Sequence, residues 1–183
     1  MDRAGLAFLT VFGLAWWLAG ASAPGGSLLP VAALACGAVA AGVWRTGRGL
    51  RRPGGGPLPD EVRRRFAGIN VLQWTVISVV TAIAVMSGVP RLIPGLIALV
   101  VGLHFLPLAV LFRQPRFHLT GALMVAVGVA GCAVDLAARS AAAARTIVGI
   151  GAAVVLWGTA CLDRHRTSGP ADRPESQRSA AAS

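Results

Sequence analysis

Apolar runs about as long as a bilayer is thick, separated by short polar breaks, fill most of the chain. A helix rising 1.5 Å per residue needs roughly 20 apolar residues to cross a hydrocarbon core of about 30 Å. Six stretches approach that length: Ala4–Ala23, Leu28–Trp44, Phe66–Val89, Leu92–Phe112, Leu119–Leu136 and Arg145–Leu162. The breaks Ala23-Pro24-Gly25-Gly26-Ser27, Ser87-Gly88-Val89-Pro90 and Arg113-Gln114-Pro115-Arg116 combine helix breakers with polarity. Links this short make neighbouring spans antiparallel. The pattern predicts an all-α, polytopic membrane helical bundle over residues 1–162. The one long internal break, residues 45–65, contains Pro53-Gly54-Gly55-Gly56-Pro57 and too little apolar surface to fold alone, so it is expected as a disordered basic loop. Residues 163–183, rich in Ser, Ala, Pro and charge, are expected as a disordered tail.

Composition sharpens this reading. A soluble domain carries roughly a quarter charged residues, whereas this chain has 13% charged and 55% hydrophobic. The formal charge of +10 invites a nucleic-acid reading, but the arginines lie in loops and no binding motif surrounds them. Their distribution fits membrane orientation instead. Arg3; Arg45, Arg48, Arg51, Arg52, Arg63, Arg64 and Arg65; Arg113 and Arg116; and Arg164, Arg166, Arg173 and Arg178 fall at alternate span ends, fourteen against three at the opposite ends, Arg91, Arg139 and Arg145. Because basic loops are retained in the cytoplasm, six crossings with both termini inside are expected. A cleaved signal peptide is the alternative for the first span, given Ala19-Gly20-Ala21 and Ala21-Ser22-Ala23. Trp16-Trp17 near its outer end argues for an interfacial anchor. Trp44, Trp74 and Trp157, toward inner ends, read as anchors or packing residues.

Small residues recur every fourth position in Ala32-Cys36-Ala40, Ala33-Gly37-Ala41, Ala122-Ala126-Ala130 and Gly128-Cys132. Such stripes let helices approach closely, which puts the second and fifth spans inside the bundle. Cys36, Cys132 and Cys161 have neither disulfide nor metal-ligand spacing and read as packing residues.

Polar side chains in hydrocarbon are costly, so the few present are the leads to function. His104 lies about 12 Å from the inner end of the fourth span. Pro107, lacking an N–H, deprives the Leu103 carbonyl of its helical donor and favours a kink beside the imidazole. A free carbonyl next to a group that changes charge near neutral pH suits a proton, water or polar ligand. The plainer role is a packing hydrogen bond to another helix. On the third span Asn70, Gln73, Ser78 and Thr81 fall largely on one face with Trp74, and Gln73 sits about 10 Å deep. A ligand-binding cluster of His104, Gln73 and Asn70 is therefore the candidate site. Asp135, near the outer end of the fifth span, has Arg139 four residues on and reads as an interfacial ion pair. Arg145 is expected to snorkel outward. Asp60 and Glu61 are placed to pair with Arg64 and Arg65, and the 45–65 loop suits anionic lipid headgroups.

No H-E-x-x-H, G-x-S-x-G, Walker A or dinucleotide-binding motif occurs, so no enzyme class, cofactor or metal is indicated. His104 and His118 are about 21 Å apart along the helix direction, too far to share a metal. Gly102-Leu103-His104-Phe105-Leu106-Pro107-Leu108, followed by Phe112 and Pro115, resembles a group of small bacterial multi-pass membrane proteins with a G-L-H-F-x-P-L helix. The resemblance covers that helix and its exit alone. It implies a multi-pass protein of the bacterial inner membrane, with no activity to transfer. Two functional expectations follow. One is a bundle that binds or moves a small ligand, proton or lipid near the cytoplasmic half. The other is an accessory subunit that packs a membrane-protein partner, or a second copy, through its small-residue faces.

Overall fold

The computed structural model describes residues 3–23 and 59–167, and the side chains of 8–23 and 59–161. The expected second span Leu28–Trp44, most of the basic loop including Arg45, Arg48, Arg51 and Arg52, and residues 168–183 lie outside the described residues. Among the described residues there are five α-helices: α1 (Arg3–Ala21), α2 (Asp60–Met86), α3 (Ile93–Leu111, entered by a 3-10 turn at Pro90–Leu92), α4 (Arg116–Ala138) and α5 (Ala141–Thr167). Among the described residues there is no strand. Four segments are long and apolar enough to cross a membrane: α2, Pro90–Leu111, α4 and Ala141–Cys161. The apolar stretch of α1, Phe8–Ala21, is shorter.

Local sequence sets the helix ends, and it corrects several expected boundaries, among them the start of the last helix, which lies at Ala141 rather than Arg145. The helix expected from Phe66 starts at Asp60, so residues 60–65 of the expected disordered loop are helical. Pro59 precedes it, Asp60 and Glu61 occupy its first turn, and Arg63–Asp60 (2.9 Å) and Arg65–Glu61 (2.7 Å) ion pairs brace it. Acidic residues favour the positive N-terminal end of a helix, and charge does not end one; only the apolar run begins at Phe66. Arg63 therefore takes the Asp60 partnership expected of Arg64. The last helix likewise continues past Leu162 to Thr167, so residues 163–167 belong to it and not to the tail. No breaker intervenes before Ser168-Gly169-Pro170.

Two helices close with the same turn. Val89 N–H donates to the Ala84 carbonyl (2.9 Å) and Gly88 N–H to Val85 (3.1 Å), while Gly88 takes φ of 71°. Gln114 N–H to Ala109 (2.9 Å) and Arg113 N–H to Val110 (3.2 Å) repeat the arrangement, with Arg113 at φ of 51°. These paired bonds satisfy carbonyls that a helix end leaves orphaned. At the start of α5 the Ser140 hydroxyl accepts from the Ala143 N–H (3.3 Å), an N-cap.

The packing is antiparallel and built on glycine. Along α3 and α4, Gly102 opposes Gly121, and Gly95 opposes Gly128. A Cβ on Gly121 would stand 2.7 Å from the Gly102 carbonyl oxygen, and one on Gly128 2.8 Å from that of Gly95. Backbones this close exclude any larger residue. Gly20 and Gly149 meet in the same way between α1 and α5, and the Trp157 indole fills the space over Gly13, its Nε1 donating to the Thr10 carbonyl (3.4 Å). Trp157 is thus a packing residue. Gly131 sits against Val148 between α4 and α5, where Thr120 and Thr159 share a buried hydrogen bond of 2.8 Å. The core draws Leu9 from α1, Ala98, Val101, Phe105 and Leu108 from α3, Met124 from α4, and Val148, Ala152, Leu156 and Ala160 from α5.

The fifth predicted span, α4, packs between α3 and α5 on one side and is exposed on the other. Its packing stripe is Gly121, Met124, Gly128 and Gly131, however, while Ala122, Ala126 and Ala130 face outward. Glycine wins those positions because only it permits carbonyl-to-backbone contact; alanine spacing alone does not say which face is turned inward. On α2 the only buried residue is Ala84, with Ile69 and Ile77 resting on the core; Val71, Leu72, Trp74, Val79, Ile83, Val85 and Met86 point outward. Large apolar side chains on the outer faces suit lipid as the surrounding medium.

Candidate functional site

α2 and α3, which pack against each other, carry the residues singled out in the sequence. Phe66 and Phe112 meet edge to face, with ring centroids 5.8 Å apart, and fix the register of the two antiparallel helices. Gln73 lies about 10 Å along α2 from that contact and His104 about 12 Å along α3. The two residues therefore share a level. Gln73 is also four residues from both Ile69 and Ile77, which rest on the core, so it occupies the face of α2 turned to the bundle. Gln73 and His104 are half-buried.

Among the described residues no hydrogen bond joins His104 to Gln73 or Asn70. The Asn70 amide instead donates to the Phe66 carbonyl at 2.9 Å. The imidazole lies edge-on to the Phe105 ring, 6.3 Å between centroids. α3 runs unbroken through Pro107, which is exposed, and the missing N–H leaves the Leu103 carbonyl without its helical donor. Among the described residues the imidazole has no hydrogen-bond partner, so one ring nitrogen is open to accept a proton or hydrogen bond and the N–H to donate to water or a small polar ligand.

The opposite end of α3 carries a feature read differently from sequence. Asp135 is fully buried, and its charge partner is Arg91 in the turn before α3: Nε stands 2.8 Å from Oδ2. The contact is electrostatic in character, since neither carboxylate oxygen accepts a hydrogen bond. The expected Asp135–Arg139 pair is not formed. Arg139 takes a left-handed conformation, φ of 48°, as α4 ends, so the helical i, i+4 relation no longer holds. The sequence did contain the signal: Arg91 and Asp135 fall at the same end of adjacent antiparallel spans. Arg145 is exposed, as expected of a snorkelling side chain. Cys132 is half-buried beside Gly95, Cys161 is exposed, and both are free thiols. Among the described residues no group of His, Cys, Asp and Glu is placed to hold a metal.

Comparison with protein-family models, with curated proteins and with solved structures finds no match to this chain. Among the described residues, glycine seams and apolar outer faces make a helical bundle in which four segments are long and apolar enough to cross a membrane.

Proposed function

We propose that the chain is a six-span protein of the bacterial inner membrane, with both termini cytoplasmic, that binds or moves a small polar ligand, proton or lipid through His104, assisted by Gln73 and Asn70. The observation that carries this reading is the common level of His104 and Gln73 on the neighbouring antiparallel helices α2 and α3, with no hydrogen-bond partner for the imidazole among the described residues. A half-buried polar group in a lipid-facing helix needs a compensating function or partner, and α2 is, among the described helices, the least tied to the core, so it can move aside. The arginine asymmetry supports the orientation, and the basic 45–65 loop suits contact with anionic headgroups. The test compares wild type with His104→Gln in proteoliposomes, following proton flux with an entrapped pH dye and thermal shifts over a panel of small polar solutes. The variant is expected to keep its abundance and helicity and lose the response. A folded variant matching wild type in both assays removes the reading.

A second reading, an accessory subunit, is favoured by the outward alanines 122, 126 and 130 on α4. Ala126→Leu is then expected to abolish co-purification of a stoichiometric partner. Gly128→Leu serves as a folding control, because it strikes the protein's own α3–α4 seam. Isolation of wild type as a stable lone monomer excludes this role.

A further inference from the structure

Where α1 ends and α3 and α5 begin, Trp16, Ala19, Ser22, Pro94, Arg145 and Gly149 line a half-open cavity of about 300 Å³. That is far more than the roughly 30 Å³ of a water molecule and lies at the lower end of ligand pockets, roughly 300–1,000 Å³. Its walls are an indole, an alanine methyl, a proline ring and a glycine. Ser22 donates its hydroxyl proton to the Ala19 carbonyl at 3.0 Å, so its oxygen is left as an acceptor. Arg145 is exposed and, among the described residues, has no ion-pair or hydrogen-bond partner; no acidic residue among them lines the cavity. A permanent cation without a counter-ion beside an apolar hollow complements an anion joined to hydrocarbon. A free phosphate would gain one guanidinium and leave the apolar walls wet, and a cationic ligand would be repelled.

We propose that this cavity seats an anionic phospholipid, with Arg145 at its phosphate and Trp16, Ala19 and Pro94 against the first part of an acyl chain. The site lies at the opposite end of α3 from the Phe66–Phe112 contact and rests on membrane residence, not on the role of His104. Residence itself fails separately, if the full-length protein is recovered without detergent.

The experiment is native mass spectrometry of the full-length protein in mild detergent, with phosphatidylglycerol or phosphatidylcholine of identical chains. Phosphatidylglycerol is expected to be retained about fivefold better, the factor that roughly 1 kcal/mol for one basic residue near a headgroup implies. Arg145→Gln should erase that preference. Arg139→Gln, which removes the same charge at the same end but outside the cavity, should preserve it. Ala19→Phe, filling the hollow, should lower retention of both lipids while helicity by circular dichroism stays at the wild-type level. The proposal is overturned by equal retention of the two lipids in wild type, by equal losses in Arg139→Gln and Arg145→Gln, or by indifference to Ala19→Phe. Displacement of phosphatidylglycerol by millimolar inorganic phosphate also overturns it, since the ligand would then be a soluble anion.

Discussion

Arg113 closes α3 from the left-handed region that favours glycine, and Gly88 does the same work for α2 without a side chain. A left-handed L-residue costs roughly 1–2 kcal/mol, so Arg113→Gly is expected to stabilise the protein by about 1 kcal/mol against denaturant in detergent micelles; destabilisation would show that the arginine side chain contributes more than its backbone strain removes. Asp135 presents the opposite case. Removing Arg91 strands a buried carboxylate, which for a fully buried pair costs roughly 3–5 kcal/mol. The Arg91 side chain is 45% exposed, and solvent weakens its share, so Arg91→Ala is expected to cost about 2–3 kcal/mol and the double variant with Asp135→Asn much less. Arg139→Gln should stay within about 0.5 kcal/mol. Equal costs for Arg91→Ala and Arg139→Gln in the same unfolding assay would contradict the observed pairing. Sequence spacing pointed to the wrong arginine because i, i+4 logic presumes that the helix continues, and the helix stops at Ala138.

At the scale of helices, the α3–α4 seam is where the chain is least tolerant. Gly121→Val places carbon against the Gly102 carbonyl and cannot be relieved by a rotamer change, because the obstacle is backbone. Overpacking of this kind costs typically 1–3 kcal/mol or more, and loss of the folded monodisperse species in size-exclusion chromatography is the expected readout. Ala126→Leu, on the outward face, should be nearly silent in that assay. Matching behaviour of the two variants would mean that the helix is rotated from the orientation described. Helix existence was legible in the apolar runs, since lipid demands uninterrupted stretches. Helix ends at Asp60 and Thr167 were not, because ion pairs and the absence of breakers extend a helix beyond the part that lipid selects. The level shared by Gln73 and His104 was legible from residue counts and the antiparallel turn; the facing of Gln73 needed the Ile69 and Ile77 contacts.

For the molecule as a whole, the all-helical class followed from composition and run length, whereas packing order did not, since apolar sequence alone does not distinguish lipid-facing from helix-facing surface. Orientation makes its own prediction. With native cysteines replaced, Ser87→Cys and Ser140→Cys should react with a membrane-impermeant maleimide in intact cells, and Gln114→Cys only after permeabilisation. The reverse pattern would invert the proposed topology. The seam between α3 and α4, where glycine meets glycine, has a wider consequence. Main chains in such close contact leave no width for a file of water molecules, so no conduit can run between those two helices. Among the described helices a path would have to follow another seam, and α2, which rests mainly on α3, is the one of them held by the smallest contact.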